Sequence, residues 1–423
     1  MAAQDDLSPS ARELLKKVKR RYMESRDFNG LHVRTAQNTH GEIEAAVELI
    51  DADLIEIVGP SDYMNIHIRP WPSHRTVAEQ VEELRELSDD DYGVCLYPKT
   101  KALKRMKLSK KFENAPFARA MARGRSTLEL AFFSSDVLEG YRNDARYRFG
   151  MGDFGINFGL SDEAYDDKDQ PEKDRVGLMH LGFAYDMRQY EPEVPDSPIV
   201  RRVAAFYGDL DNLTPEHQQR WASFQVDEEG IVPHPVWYAS QMGRWPDGIG
   251  PFARLAQELK AISDLFENVW GVRLFRSNEL PEDFGWMLRA DQREWDHFIH
   301  SFDKLLSDNI DGAALDKAKV PQMNEKRERL GTLNRLQLFM TMNQVKTDSA
   351  KWALKPLRQV RAARQKPAHA LRTNVTDRTL VRKQRDVLRE VNEALINIRQ
   401  WLSSHPQNRE WKEPWPDAKD YPL

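Results

Sequence analysis

Beyond Pro251 the apolar residues recur three and four positions apart, and this spacing constrains the fold more than any other feature of the chain. Phe252, Leu255, Ala256, Leu259, Ile262, Phe266 and Val269 fall on one face of a helix. Phe284, Met287, Leu288, Trp295, Phe298, Phe302 and Leu305 predict a second, and further stripes predict helices over about 324–342 and over Ser349–Gln365. Leu388, Val391, Leu395, Ile398 and Leu402 mark a fifth, which Pro406 ends. Such stripes must bury one another, so residues 251–405 read as an all-helical bundle of about five helices. Residues 406–423 form a tail with too much Pro for a helix, and its Trp411 and Trp415 are expected to dock on the body.

The upstream part follows another rhythm. Ser8-Pro9-Ser10 precedes Ala11, Leu14, Leu15, Val18 and Tyr22, a cap and stripe that predict a helix. From Leu31 onward come short β-like runs: Leu31–Thr35, Leu54–Val58, the alternating Met64–Ile68, Thr127–Phe133 and Val176–Tyr185. A helical pattern at Val77, Val81, Leu84 and Leu87 interrupts them, so residues 1–250 read as mixed α+β and the whole chain as α+β. The Gly- and Pro-rich stretch from Gly230 to Pro251 sets the expected boundary. Ser161–Asp174 carries seven acids against two lysines and reads as a solvated, mobile loop.

Several function classes drop out. No run approaches the ~18 apolar residues of a membrane-spanning helix, and Asp5 and Asp6 stand where a signal peptide has basic residues. The single cysteine, Cys95, forbids an internal disulfide and any thiolate-rich zinc site, so a cytoplasmic protein with no membrane partner is expected. There is no phosphate-loop motif and no Gly-x-Ser-x-Gly nucleophile elbow. Gly150-Met-Gly152-Asp-Phe-Gly155 has dinucleotide-loop spacing, but strand-like Ile156–Gly159 follows where a helix is required, so it reads as a turn or bulge. Glu294, His297, His300 and Asp303 lie within two helical turns, yet a di-iron bundle needs a second Glu-x-x-His that the chain lacks; neither metal nor cofactor is expected.

A net charge of -5 hides a marked asymmetry. Tyr97–Arg125 carries ten basic residues against one acid, and Lys351–His405 carries thirteen against four, each +9, leaving -23 for the remainder. Cationic segments on an acidic body are the pattern expected where a chain meets phosphate; the alternative is a pair of solvated helix faces. Within them, Arg358, Arg361, Lys366, Arg372, Lys104, Arg105, Lys110 and Lys111 are the candidate nucleic-acid contacts.

At the junction of the last two predicted helices stands Arg358-Gln-Val-Arg361-Ala-Ala-Arg364-Gln365-Lys366-Pro367-Ala368-His369. It resembles the signature of the HEPN superfamily, helical domains of bacterial toxins and antiphage systems, whose motif is Arg, four to six residues, then His. The resemblance implies a metal-independent endoribonuclease in bacterial stress or phage defence, a dimer with two motifs lining one cleft, and Arg364 and His369 as the motif pair. Histidine exchanges protons near neutrality and arginine keeps its charge, which suits a phosphorane-like transition state. Residues 1–250 would then sense, recruit or restrain through a protein partner. In them, Phe206–Leu210 with Glu216-His217-Gln218 and Trp221 resembles only uncharacterised bacterial proteins. The plainer alternative is a non-catalytic interaction scaffold in which Arg364 caps its helix and His369 holds a corner.

Overall fold

A computed structural model describes residues 7–34, 40–87, 92–190, 200–245, 247–365 and 373–414. The fold is α+β. A three-stranded antiparallel sheet has the order Leu31–Val33, Val94–Pro98, Ile55–Val58. A larger sheet runs Tyr147–Met151, Gly155–Leu160, Gly177–Asp186, Val200–Phe206, Leu130–Ser134, Gln225–Val226, with Ile231–Pro233 paired to Gly177–Asp186. By internal contacts the described residues fall into two units: those of Met1–Val137, Gly159–Leu181 and Val203–Glu229, and those of Leu138–Phe158, Gly182–Arg202 and Gly230–Leu423. The chain thus passes between the units several times, rather than once within the expected Gly230–Pro251 stretch.

In the first unit, the helix Pro9–Glu24 begins where the Ser8 hydroxyl accepts the Ala11 N–H at 3.1 Å, and Glu48 accepts both the backbone N–H and the hydroxyl of Ser8. Its buried face, including Leu14, Leu15 and Val18, joins Leu49, Ile50, Ile57, Leu84 and Leu96 in one core. The helix Val77–Glu86 starts with a reciprocal capping box between Thr76 and Glu79. The expected strand at Met64–Ile68 does not form. The Asn65 side chain accepts the His67 N–H and its carbonyl accepts the Ile68 N–H, closing a turn that leaves Met64 92% exposed. Nor is Ser161–Asp174 a plain loop: Ser161 caps the short helix Asp162–Asp166, and a 3-10 turn spans Glu172–Asp174, with Thr214 donating to the Lys173 carbonyl.

The second unit contains a hairpin and the bundle. Tyr147–Met151 and Gly155–Leu160 flank the Gly150-x-Gly152-x-x-Gly155 turn, closed by Gly152 N–H to the Gly155 carbonyl at 2.9 Å. Asp153, in that turn, accepts the N–H groups of Phe252 (2.7 Å) and Ala253 (3.0 Å) and so caps the helix Pro251–Trp270. Gly250 is required there, because a Cβ would overlap the Asp153 carboxylate.

Pro251–Trp270 packs along Thr379–Ser403, and the two share a buried ion pair, Arg399 to Glu258 at 2.6 Å. Among the described residues seven helices follow residue 250, against the expected five or so: Pro251–Trp270, Gln292–Leu306, Gly312–Lys317, Thr332–Met342, Thr347–Ala353, Lys355–Gln365 and Thr379–Ser403. The second begins only at the Asp291 cap; Phe284, Met287 and Leu288 are buried in an irregular lead-in, where Gln384 accepts the Met287 N–H. Asn324 folds its side chain back on Lys326 and Glu328, which delays the fourth helix to Gly331. Pro356 splits the expected helix Ser349–Gln365: lacking an N–H, it cannot bond the Trp352 carbonyl, and the helix breaks at Leu354. In the tail, Trp411 docks against Arg399 (5.8 Å to the ring) and Asn408 is buried; Trp415 lies outside the described residues.

Candidate nucleic-acid interface

The helix Lys355–Gln365 carries three arginines three residues apart, and helical geometry turns each back by about 60° from the last. Arg358, Arg361 and Arg364 therefore fan over about 120° of its surface, while Leu357 and Val360 are buried. Their surroundings differ, and the differences decide what each can do.

Arg364 faces the end of the helix Gln292–Leu306. Its Nη1 donates to Asp303 Oδ2 at 2.7 Å and to Asp308 Oδ2 at 2.5 Å. The Asp303 side chain is 1% exposed. These bonds push the guanidinium pKa above its ordinary value, and two carboxylates balance its charge locally. Its expected motif partner His369 lies outside the described residues, as do Lys366 and Arg372. Nearby, Glu294 is held by Arg142 through both carboxylate oxygens, at 2.9 and 2.8 Å, and His297 and His300 are exposed. Among the described residues no group of three or more His, Cys, Asp or Glu side chains is placed to hold a metal ion.

Arg358 has the opposite environment. It donates to Gln337 Oε1 at 2.9 Å, to Asn334 Oδ1 at 3.1 and 3.2 Å, and to the Leu333 carbonyl at 3.4 Å. No acceptor is charged, so the guanidinium is fixed in place without being neutralised. Partial burial lowers its pKa, but arginine stays protonated.

Around it lies a groove of about 640 Å³. Lys351, Lys355 and Arg358 supply three cations, Asn334, Gln337 and Gln359 supply amides, and among the described residues no carboxylate lines it. Trp352 opens onto the same groove with 67% of its surface exposed. Lys351 stands 3.7 Å from Asp348 on the exposed surface, a pairing too weak to spend its charge.

Arg361 faces away from this groove, into a recess of about 790 Å³ that it lines with Arg276 and Arg329, and stands 3.9 Å from Asp308. In the first unit the basic run is partly consumed by its own fold. Lys99 pairs with Asp53, Lys101 donates to the Ala52 carbonyl, Arg119 to the Phe112 and Glu113 carbonyls, and Arg123 to three carbonyls at 103, 104 and 106. Lys104, Arg105, Lys110 and Lys111 remain exposed; Lys111 lies 4.8 Å over the Phe112 ring and its charge acts on Asp211.

Thus Arg358 is brought into a cationic groove, Arg361 into a separate recess, and Arg364 into an internal ion pair. Sequence reasoning missed Trp352, Lys351 and Lys355 as groove residues. Their signal was present as cations at 351, 355 and 358 beside an aromatic, but a tryptophan at helical spacing reads as core. Compared with known proteins, the chain matches no family model, no curated protein and no solved structure.

Proposed function

We propose that this chain binds single-stranded RNA in the groove formed by the helices Thr332–Met342, Thr347–Ala353 and Lys355–Gln365. A single strand offers a flexible phosphate chain and unpaired bases, and proteins that take it combine a cationic track with an exposed aromatic platform. One observation carries the reading: Trp352 lies open in a groove it shares with Arg358, whose guanidinium is positioned by neutral partners. The choice of RNA over DNA rests on the HEPN-like spacing at Arg364 and His369.

The proposal stops at binding. Cleavage by that pair needs the Arg364 charge at the reacting phosphate, and Asp303 and Asp308 already hold it.

Fluorescence anisotropy of the full chain with labelled single-stranded RNA tests the reading. Saturable binding at about 50 mM salt, declining steeply as salt rises, is expected. No binding at that salt overturns it and leaves the bundle as an interaction scaffold.

A further inference from the structure

The recess beside the groove points to something narrower than general affinity for a strand. Of its carboxylates, Asp308 is taken by Arg364 at 2.5 Å, and Asp311 caps a helix by accepting the Ala313 N–H at 3.1 Å. Asp316 is taken by Arg335 at 2.5 Å and by Gln322 at 3.0 Å. Arg335 is buried and also donates to the Gly312 and Val320 carbonyls, so it fixes the wall and is not itself available.

The remaining cations are not spent in this way. Arg361 is 3.9 Å from Asp308, beyond hydrogen-bond range. Arg276 reaches a backbone carbonyl at 3.2 Å and stands 3.9 Å from Asp311, and Arg329 is exposed with no side-chain partner among the described residues. Arg276, Arg329 and Arg361 therefore line a recess in which two of the three carboxylates are held at 2.5 Å by other arginines and the third caps a helix. The eleven-residue helix Thr332–Met342 begins at its rim with Gly331, which gives no side-chain cap to the first-turn N–H groups. A phosphomonoester, with a charge of about -1.5 to -2 and three acceptor oxygens, matches this set better than an internal diester with one charge.

The recess and the groove are neighbours along two helices. Thr332 and Arg335 line one, Asn334 and Gln337 the other; Arg361 lines one, Arg358 the other. Arg358 and Arg361 are about 4.5 Å apart along their helix axis. Resting on the reading of the groove as an RNA site, we propose that the recess formed by Arg276, Arg329 and Arg361 holds the terminal 5′-phosphate of the bound strand, so that the protein recognises phosphorylated RNA ends.

The test compares two single-stranded RNAs of one sequence, with a 5′-phosphate and with a 5′-hydroxyl, by anisotropy against the whole 423-residue chain. The phosphorylated strand is expected to bind about tenfold more tightly or better. Arg329→Ala should lower that ratio, and Gly331→Asp should abolish it. At Gly331 a Cβ meets no atom within 4 Å and φ is -72°, so aspartate fits, caps the helix and brings a negative charge to the recess. Its melting temperature should be no lower than that of the parent, which separates loss of the site from loss of the fold. Equal affinity for the two strands overturns the end-recognition proposal while the groove reading stands. Binding of neither strand overturns both.

Discussion

Six residues apart on one helix, Arg358 and Arg364 are held by opposite kinds of partner: the first by the amides of Asn334 and Gln337, the second by the carboxylates of Asp303 and Asp308. The same side chain thus serves as an available charge at one position and a spent one at the other. Each assignment has a measurable consequence.

Removing the spent charge should harm stability before it harms binding. Arg364→Ala leaves Asp303 buried without its donor, and the expected cost is about 1–3 kcal/mol. RNA affinity should stay within about threefold of the parent, since no direct contact is lost. Denaturant unfolding and anisotropy on one preparation give both numbers; a large affinity loss at unchanged stability would place Arg364 in the interface.

Trp352→Ala should do the reverse. With two thirds of the ring exposed there is little packing to lose, whereas base stacking on an aromatic platform contributes about 1–3 kcal/mol per base. Affinity for single-stranded RNA should drop about 5- to 150-fold at an unchanged melting temperature. Trp352→Phe, which keeps a smaller face, should fall between the two, and an Ala variant that binds like the parent removes the platform from the argument.

The lysines beside it should behave as phosphate contacts. Lys351→Gln and Lys355→Gln each should reduce the slope of log affinity against log salt by about 0.7, the increment for one neutralised phosphate on a single strand. The reduction should be similar for different RNA sequences, because phosphates carry no base identity. A titration series at four salt concentrations decides it; unchanged slopes would show that the groove cations do not meet the strand.

A pH effect is expected in the first unit. Burial pushes the Asp211 carboxyl up to about 6, with the negative charge of Asp27 adding to the shift and Lys111 opposing it. A raised carboxyl pKa means that the folded chain holds a proton the unfolded chain has released. This contribution is therefore fully present below about pH 4 and lost as pH rises through about 6. Asp211→Asn should raise the melting temperature at about pH 7.5 and change it little near pH 4. A difference between variant and parent that is the same at both values would contradict the assignment.

The parts of this fold that were legible in the sequence are those where one physical cause acts over many residues. The stripe from Phe252 to Val269 is continuous over five turns because a single buried face runs the length of Pro251–Trp270, and the stripe from Leu388 to Leu402 is similar. Reading failed where burial and periodicity part company. Phe284, Met287 and Leu288 are buried but sit in irregular chain, and nothing local distinguishes them from helical core residues. The site was harder still. The carboxylates that occupy Arg364 come from 61 and 56 residues away, and the amides around Arg358 from 24 and 21, so charge alone could nominate both arginines and could not separate them.

The break at Leu354 has a consequence for how such a groove can diversify. On an unbroken helix Trp352 and Arg358 would point about 120° apart; they share a groove because Pro356 divides the segment between two helices. Each helix keeps its own buried anchors, Ala350 and Ala353 in one, Leu357 and Val360 in the other. Gain or loss of a single residue at the joint would reset the spacing between platform and cation and leave both sets of anchors in place. The joint therefore sets the geometry of the groove independently of the packing beneath it.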